Sequence, residues 1–182
     1  MAQSRVVLAP VTAADEQEFL AAMSASSALH RPWVTMPQTP DAFAAYLERN
    51  ESDAFDQRLL RRRSDGALAG FFNVTQIVRG PLQSAYLGYG AVTALAGHGY
   101  MTEGMQLLLR RAFTTLALHR LEANIQPGNR ASIALVERSG FELEGYSARY
   151  LKIGGRWRDH ERWAIRKESW RAAQPTRSAD TR

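Results

Sequence analysis

A mixed α/β (α+β) fold is what this sequence predicts, and three observations carry that prediction. Short apolar and alternating segments crowd the middle of the chain, between residues 57 and 93. The period then changes. From Met101 the apolar residues fall at Met105, Leu108, Leu109, Ala112, Phe113 and Leu116, which is one buried helical stripe. The order that results is strand, two helices, three strands, helix, strand, helix, two strands. It lacks the strict strand–helix alternation of a doubly wound parallel sheet.

Each element has its own signal. Arg5 to Val11 reads as a short strand ending at Pro10. Thr12 is placed to cap a helix from Ala13 to Ser24, with Asp15 in the fourth place of a capping box. Residues 25–40 are rich in Ser, Pro and Thr, hold Trp33, and make a loop long enough to line a site. Asp41 to Ser52 reads as a second helix. Gln57–Arg63 and Leu68–Val78 form a hairpin about Asp65-Gly66, a dipeptide suited to the left-handed backbone of a tight turn. After Gly80-Pro81, Gln83–Thr93 is a strand whose Gly88 and Gly90 fit either a bulge or a close backbone approach. Leu121–Ile125 reads as a buried strand, Asn129 opens a helix that stops at Gly140, and Tyr146–Ile153 pairs with Arg156–Ile165 through Gly154-Gly155.

Composition narrows the function. With 182 residues, 45% of them hydrophobic, the chain builds a core without a staple, and one domain over residues 1–170 is expected. The absence of Cys excludes disulfides, thiolate metal sites and an acyl-cysteine intermediate. No apolar run is long enough to span a membrane and no secretory leader is visible, so a cytoplasmic protein is expected. The net charge is +5, but Arg171, Arg177, Arg182 and Asp180 place part of it in the last twelve residues, which read as a disordered tail. Arg61-Arg62-Arg63 fits a solvated strand face better than a nucleic-acid contact. The four histidines are scattered, so no metal site is implied.

The most informative segment is Ala96-Gly97-His98-Gly99-Tyr100-Met101-Thr102-Glu103, between a strand end and a helix start. Unpaired N–H groups at a helix start favour anions, and glycine lets a phosphate approach them. The P-loop and dinucleotide patterns both fail here, because Tyr100-Met101 replaces Lys-Ser/Thr and Thr102 replaces the third glycine. A plain strand–helix turn remains the simpler alternative. The wider set is Leu87-Gly88-Tyr89, the glycine loop, His119 to Ala123, Asn129-Arg130-Ala131-Ser132, Gly140 to Tyr146, and Tyr150 to His160. In this order and spacing it resembles the GNAT family of N-acetyltransferases, and more closely its ribosomal-protein-alanine branch. The resemblance covers residues 4–168.

That resemblance implies a GNAT fold, with a mostly antiparallel sheet, helices on both faces, and the fourth and fifth strands splayed apart. It implies acetyl-coenzyme A as co-substrate, no metal, and direct attack by an amine. The pyrophosphate would lie on Gly97, His98, Gly99, Tyr100, Met101 and Thr102. The pantetheine arm would run along Tyr89, Ala91 and Val92, with Asn129 and Ser132 also touching the cofactor. Ala96 and Met101 depart from the family's loop pattern, and Val136 stands where many members have a tyrosine acid. Ser132 is therefore the candidate to assist the leaving thiolate, although it equally suits the third place of a capped helix.

Glu122 is the candidate base, with a strand-edge ion pair as the competing reading. Asp159 and His160 lie together near the expected acceptor mouth or belong to the scaffold, and Trp33 is a core plug or part of the acceptor pocket. A free α-amine with a pKa of ~7.7–8.0 is neutral in roughly one molecule in ten at pH 7, whereas lysine, at ~10.4, is neutral in roughly one in 2,500. No strong base is evident to make up the difference of about 3 kcal/mol. The acceptor expected is the N-terminal α-amine of a protein or peptide, such as a ribosomal protein. A small amine is the alternative, and segment 25–40 holds no Asp or Glu to attract a polyamine. A non-catalytic coenzyme-binding or ribosome-associated domain is the third reading. No membrane or direct nucleic-acid contact is expected, and a dimer is compatible with all three.

Overall fold

The computed structural model describes residues 3–173. Seven strands form one sheet: β1 (Val6–Pro10), β2 (Phe55–Arg62), β3 (Leu68–Val78), β4 (Ser84–Ala91), β5 (Arg120–Ile125), β6 (Glu142–Ile153) and β7 (Arg156–Arg166), in the order β1-β2-β3-β4-β5-β7-β6. Every neighbouring pair is antiparallel except β4 and β5, which run parallel. That single parallel junction is also the weakest. Only Ser84, Ala85 and Tyr86 pair, with Arg120, Leu121 and Glu122. Beyond Tyr86 the two strands diverge, and the sheet opens into a fork.

Alternation along the strands sends apolar side chains to two cores. On one face α4 (Tyr100–Arg110) and α5 (Arg130–Arg138) bury Met105, Leu108, Leu109, Ile133 and Val136 against Leu60, Phe72, Leu121 and Trp163. On the other, α1 (Glu16–Ala25) and α3 (Pro40–Glu48) bury Phe19, Met23, Phe43 and Tyr46 against Leu59 and Phe71. Fully burying side chains of this size contributes about 1.5–3 kcal/mol each before the loss of chain entropy.

Local chemistry sets the element ends. The Asp15 carboxylate accepts hydrogen bonds from the Thr12 N–H at 2.7 Å and its hydroxyl at 2.8 Å, starting a 3₁₀ turn that leads into α1. Thr39 caps α3, with Pro40 in its first turn. Asn129 caps α5 by accepting from the Ser132 N–H at 3.2 Å. Arg111, beyond α4, and Arg58 on β2 converge on the buried carboxylate of Asp56. Of the basic run, Arg61 binds Asp15 and Glu18 while Arg62 binds Asp65.

Three elements depart from the sequence reading. The segment read as a loop contains a short helix, α2 (Ser27–His30), whose anchoring is tertiary: the His30 ring meets Phe71 edge-on at 5.7 Å. The last hairpin begins at Glu142, earlier than expected. β6 is an edge strand whose residues are mostly exposed, so it carries no apolar pattern to read. A sixth helix, α6 (Lys167–Ala172), follows β7 because Trp170 packs on Phe113 with ring centroids 5.4 Å apart. Arg171 and Ala172, read as the start of a disordered tail, close that helix. The remainder of that tail, residues 174–182, lies outside the described residues.

Candidate active site

The glycine loop is the candidate cradle for an anion. Gly97 and Gly99 both have φ of +82°, and Gly99 is the N-cap of α4. Left-handed residues this close belong to the kind of tight backbone turn whose successive N–H groups form anion-binding nests. No carbonyl among the described residues accepts from the N–H groups of Gly97, His98 or Gly99. The loop is braced from outside. Arg5 donates to the His98 carbonyl at 3.0 Å, stacks on the Tyr100 ring at 4.8 Å, and holds Glu103 through its backbone N–H (2.8 Å) and Nε (2.6 Å). Burial tends to raise the Glu103 pKa, but these hydrogen bonds outweigh it and the carboxyl is held below its usual range.

From this cradle a cleft of about 480 Å³ runs between the loop, β4 and α5. Tyr89, Ala91, Gly97, Gly99, Tyr100, Met101, Thr102, Asn129 and Ser132 line it, so most residues singled out in the sequence converge. His98 does not join them. Its Nδ1 lies 2.9 Å from the Ala96 carbonyl, and its ring stacks on Tyr100. Val92 is buried in the second core and donates its N–H to the Ala69 carbonyl at 2.9 Å, which commits that group to the sheet. Gly90 is a site of close approach, but the neighbours are the chain's own. A Cβ there would meet the Phe71 ring at 2.7 Å and His30 Nε2 at 3.2 Å.

At the fork a smaller recess of about 100 Å³ opens between Leu87–Tyr89 on β4 and Asn124–Gln126 beside β5. Ser132 faces both cavities. Its hydroxyl oxygen lies 2.6 Å from that of Tyr89. Burial pushes the Tyr89 pKa up to about 12, with the Ser132 hydrogen bond pulling the other way. Tyr89 thus presents a protonated phenol to Ser132, a contact that residue spacing alone does not signal. It supplies an aromatic hydroxyl from β4, while position 136 on α5 holds a valine buried in the core.

Glu122 sits at the closed end of the fork, where it accepts from Arg120 Nε at 2.9 Å. It lines neither cavity. Asp159 is engaged by the Arg149 N–H at 2.8 Å and by the Tyr146 hydroxyl. His160 lines the recess. Trp33 and Val34 cover both cavities, so Trp33 roofs the site from the segment that the sequence marked as suspiciously long. That roof is fixed by Gln126 Nε2 donating to the Pro32 carbonyl at 3.0 Å and by His30 Nε2 lying 2.9 Å from the Ala91 carbonyl. His30 and Arg138, which the sequence reading did not single out, also line the main cleft. Arg138 had a weak signal as the cation in the last turn of α5. His30 had none.

Known proteins are similar to this chain in sequence and fold. Residues 5–142 match the family model described as an acetyltransferase (GNAT) domain. A probable N-acetyltransferase, YjcK of Bacillus subtilis, is 41% identical over 120 residues, covering 66% of each chain. The [ribosomal protein uS5]-alanine N-acetyltransferase of Escherichia coli is 39% identical over 103 residues, covering 57% of this chain and 53% of that one. The chain therefore spans between half and two thirds of the length of these curated relatives. Among solved structures, Mycobacterium smegmatis RimJ in complex with CoA-disulfide superposes with a TM-score of 0.82 at 29% identity, covering 90% of this chain and 82% of that one.

Proposed function

Because the chain belongs to the acetyltransferase (GNAT) domain family, we propose that it transfers the acetyl group of acetyl-coenzyme A to a primary amine, most favourably the α-amine of a protein or peptide. One observation carries this reading: a continuous cleft leads from the unpaired N–H groups of the glycine loop to the Tyr89–Ser132 pair at the opening of the sheet. A polar chain with a diphosphate at one end and a thioester at the other matches that course. The RimJ structure with CoA-disulfide and the two N-acetyltransferase relatives support the same ligand class. The continuous seven-stranded sheet supports treating residues 1–170 as one such domain.

The residues divide the work by position. The N–H groups of Gly97 to Met101 and the Arg138 guanidinium hold the phosphates. The edge of β4 freed by the fork offers backbone groups from Gly88 onward to the pantetheine amides and to the developing oxyanion. Bound acetyl-coenzyme A supplies an activated acyl carbon and a thiolate leaving group. Ser132 turns its hydroxyl toward that thiolate, and Tyr89, beside it in the cleft, supports Ser132 with a phenol that stays protonated across the physiological range. Asn129 fixes the first turn of α5 and with it the direction of Ser132. Trp33 and Val34 shield the reacting atoms from water and give the acceptor an apolar roof.

A thiol-release assay with acetyl-coenzyme A, combined with mass detection of the product, tests this. The panel comprises Ala- and Ser-initiated hexapeptides, an N-terminally blocked lysine peptide, and spermidine. The expected result is acetylation of a free α-amine, with the blocked lysine peptide and spermidine slower by tenfold or more (about 1.4 kcal/mol). Preference for spermidine would refute the α-amine acceptor. Tight coenzyme A binding with no thiol release from any amine would refute catalysis itself.

A further inference from the structure

We propose that His160 is the catalytic group that takes the proton from the acceptor amine, an inference that rests on the acetyltransferase reading above. His160 lies on β7 and is only 2% exposed, yet it lines the recess at the fork together with Tyr89 and Ser132. Its Nδ1 is 2.9 Å from the Arg158 carbonyl. A carbonyl only accepts, so Nδ1 carries the hydrogen and the lone pair resides on Nε2. Tyr150 on β6 meets the ring edge-on at 6.1 Å and keeps it in place.

The direction of the imidazole also fits. Trp163 and Ile165 on β7 point into the core formed with α4 and α5. His160, on the alternate register of the same strand, projects to the opposite face. Ser132 stands on α5, so the recess has the thiolate-assisting hydroxyl on one side and an unprotonated nitrogen on the other. An amine entering opposite α5 meets the imidazole as it meets the acyl carbon.

Other candidate bases are occupied. Glu122 is held by Arg120, Glu103 by Arg5, Asp159 by Arg149 and Tyr146, and Glu161 by the Trp163 indole N–H. The groups that share the recess with His160 are neutral, Asn124 and Gln126 from β5 and its end and Ser132 from α5, as is Tyr150 from β6 against its ring; the carboxylate that acts on it is that of Asp159, its neighbour on β7. Arg162, further along its own strand, lays its guanidinium against Gly145 on β6. Burial lowers the His160 pKa, outweighing the Arg158 carbonyl and the negative charge of Asp159, so the ring is neutral at pH 7 and available as a base.

The amine nitrogen lone pair forms the N–C bond to the acyl carbon while the N–H proton passes to His160 Nε2, directly or through one water. The C–S bond breaks, and its electron pair leaves on sulfur as a thiolate that accepts the Ser132 hydrogen bond. The imidazolium then releases its proton to solvent, and thiolate and proton recombine there.

The experiment compares the full-length wild type with His160→Gln, using acetyl-coenzyme A and the Ala-initiated hexapeptide at saturation. The variant should lose on the order of 100-fold in kcat. Its dissociation constant for coenzyme A, which reports that the cleft is folded, should stay within about threefold. The wild-type kcat should fall with decreasing pH, with a midpoint below the ordinary histidine value of about 6.5, because protonation removes the base. The same midpoint should appear in an NMR titration of the His160 ring in the coenzyme A complex. Should His160→Gln fail to fold, the agreement of these two wild-type midpoints decides the matter. A variant that keeps the wild-type kcat and acid limb, or a ring midpoint more than a unit from the kinetic one, overturns the role of His160 while leaving the acetyltransferase reading intact. Failure of the wild type to release thiol with any amine of the panel overturns both.

Discussion

Replacing either loop glycine with alanine tests whether the anion cradle has the shape described. Both residues sit at φ of +82°, where an alanine Cβ crowds the following carbonyl. Holding one non-glycine residue in that region costs roughly 1–2 kcal/mol. At Gly97 nothing lies within 4 Å of the added carbon, so Gly97→Ala isolates the backbone cost. At Gly99 the added carbon comes within 3.3 Å of Arg5 Nη2, which also disturbs the brace. The cost must emerge in one of two places. A loop that keeps its shape without ligand lowers the unfolding free energy. A loop that relaxes instead weakens coenzyme A binding, by roughly 5–30-fold for the same 1–2 kcal/mol. Denaturant unfolding and calorimetric titration with coenzyme A, done on the same variant, should together recover about 1–2 kcal/mol. A Gly97→Ala protein with wild-type stability and wild-type affinity would refute the left-handed nest.

Other expectations follow from the same geometry. Tyr89→Phe removes a 2.6 Å hydrogen bond to Ser132. It should lower kcat by up to ~10-fold with little change in coenzyme A affinity, read by steady-state kinetics and calorimetry. Asp56→Asn leaves Arg58 and Arg111 without their shared carboxylate on a residue only 6% exposed, and should cost about 3 kcal/mol in denaturant unfolding. Leu108→Ala, at a fully buried position, should cost roughly 2–5 kcal/mol by the same measurement. Asp15, Asp56 and Glu103 are all held below their usual pKa, so each stabilises the fold when ionised. That contribution is complete above the unfolded values of about 4 and is lost as pH falls through the lower folded values. The thermal midpoint should therefore drop below about pH 4, and Asp56→Asn should flatten that drop.

Much of this was legible in the residues themselves. The α4 stripe, the Asp65-Gly66 hairpin and the Asn129 cap are local patterns, and local patterns survive without tertiary knowledge. The glycine loop was legible because few residue types tolerate a left-handed backbone. The roof was legible only as an overlong segment, and the anchoring of α2 depends on Phe71 and Ala91, far along the chain. The first residues of β6 and the whole of α6 escaped because an exposed edge strand and a short helix held by one tryptophan have little periodic signal. The brace on the loop joins residues 98 apart in sequence, and no spacing rule reaches that far. Glu122 looked suitable on its strand, but its register places it at the closed end of the fork beside Arg120. Which carboxylates stay free is a property of packing.

The three residue pairs between β4 and β5 have a mechanical consequence. Strands β1 to β4 form one plate and β5 to β7 another, riveted together along a short seam and separated elsewhere. A ligand threaded into the open part of the seam acts as a splint, joining the plates along a length that the protein itself leaves unfastened. Occupancy should therefore stiffen the junction as a whole, slowing amide exchange on β5 as well as at the glycine loop, so that the ligand completes the architecture that binds it.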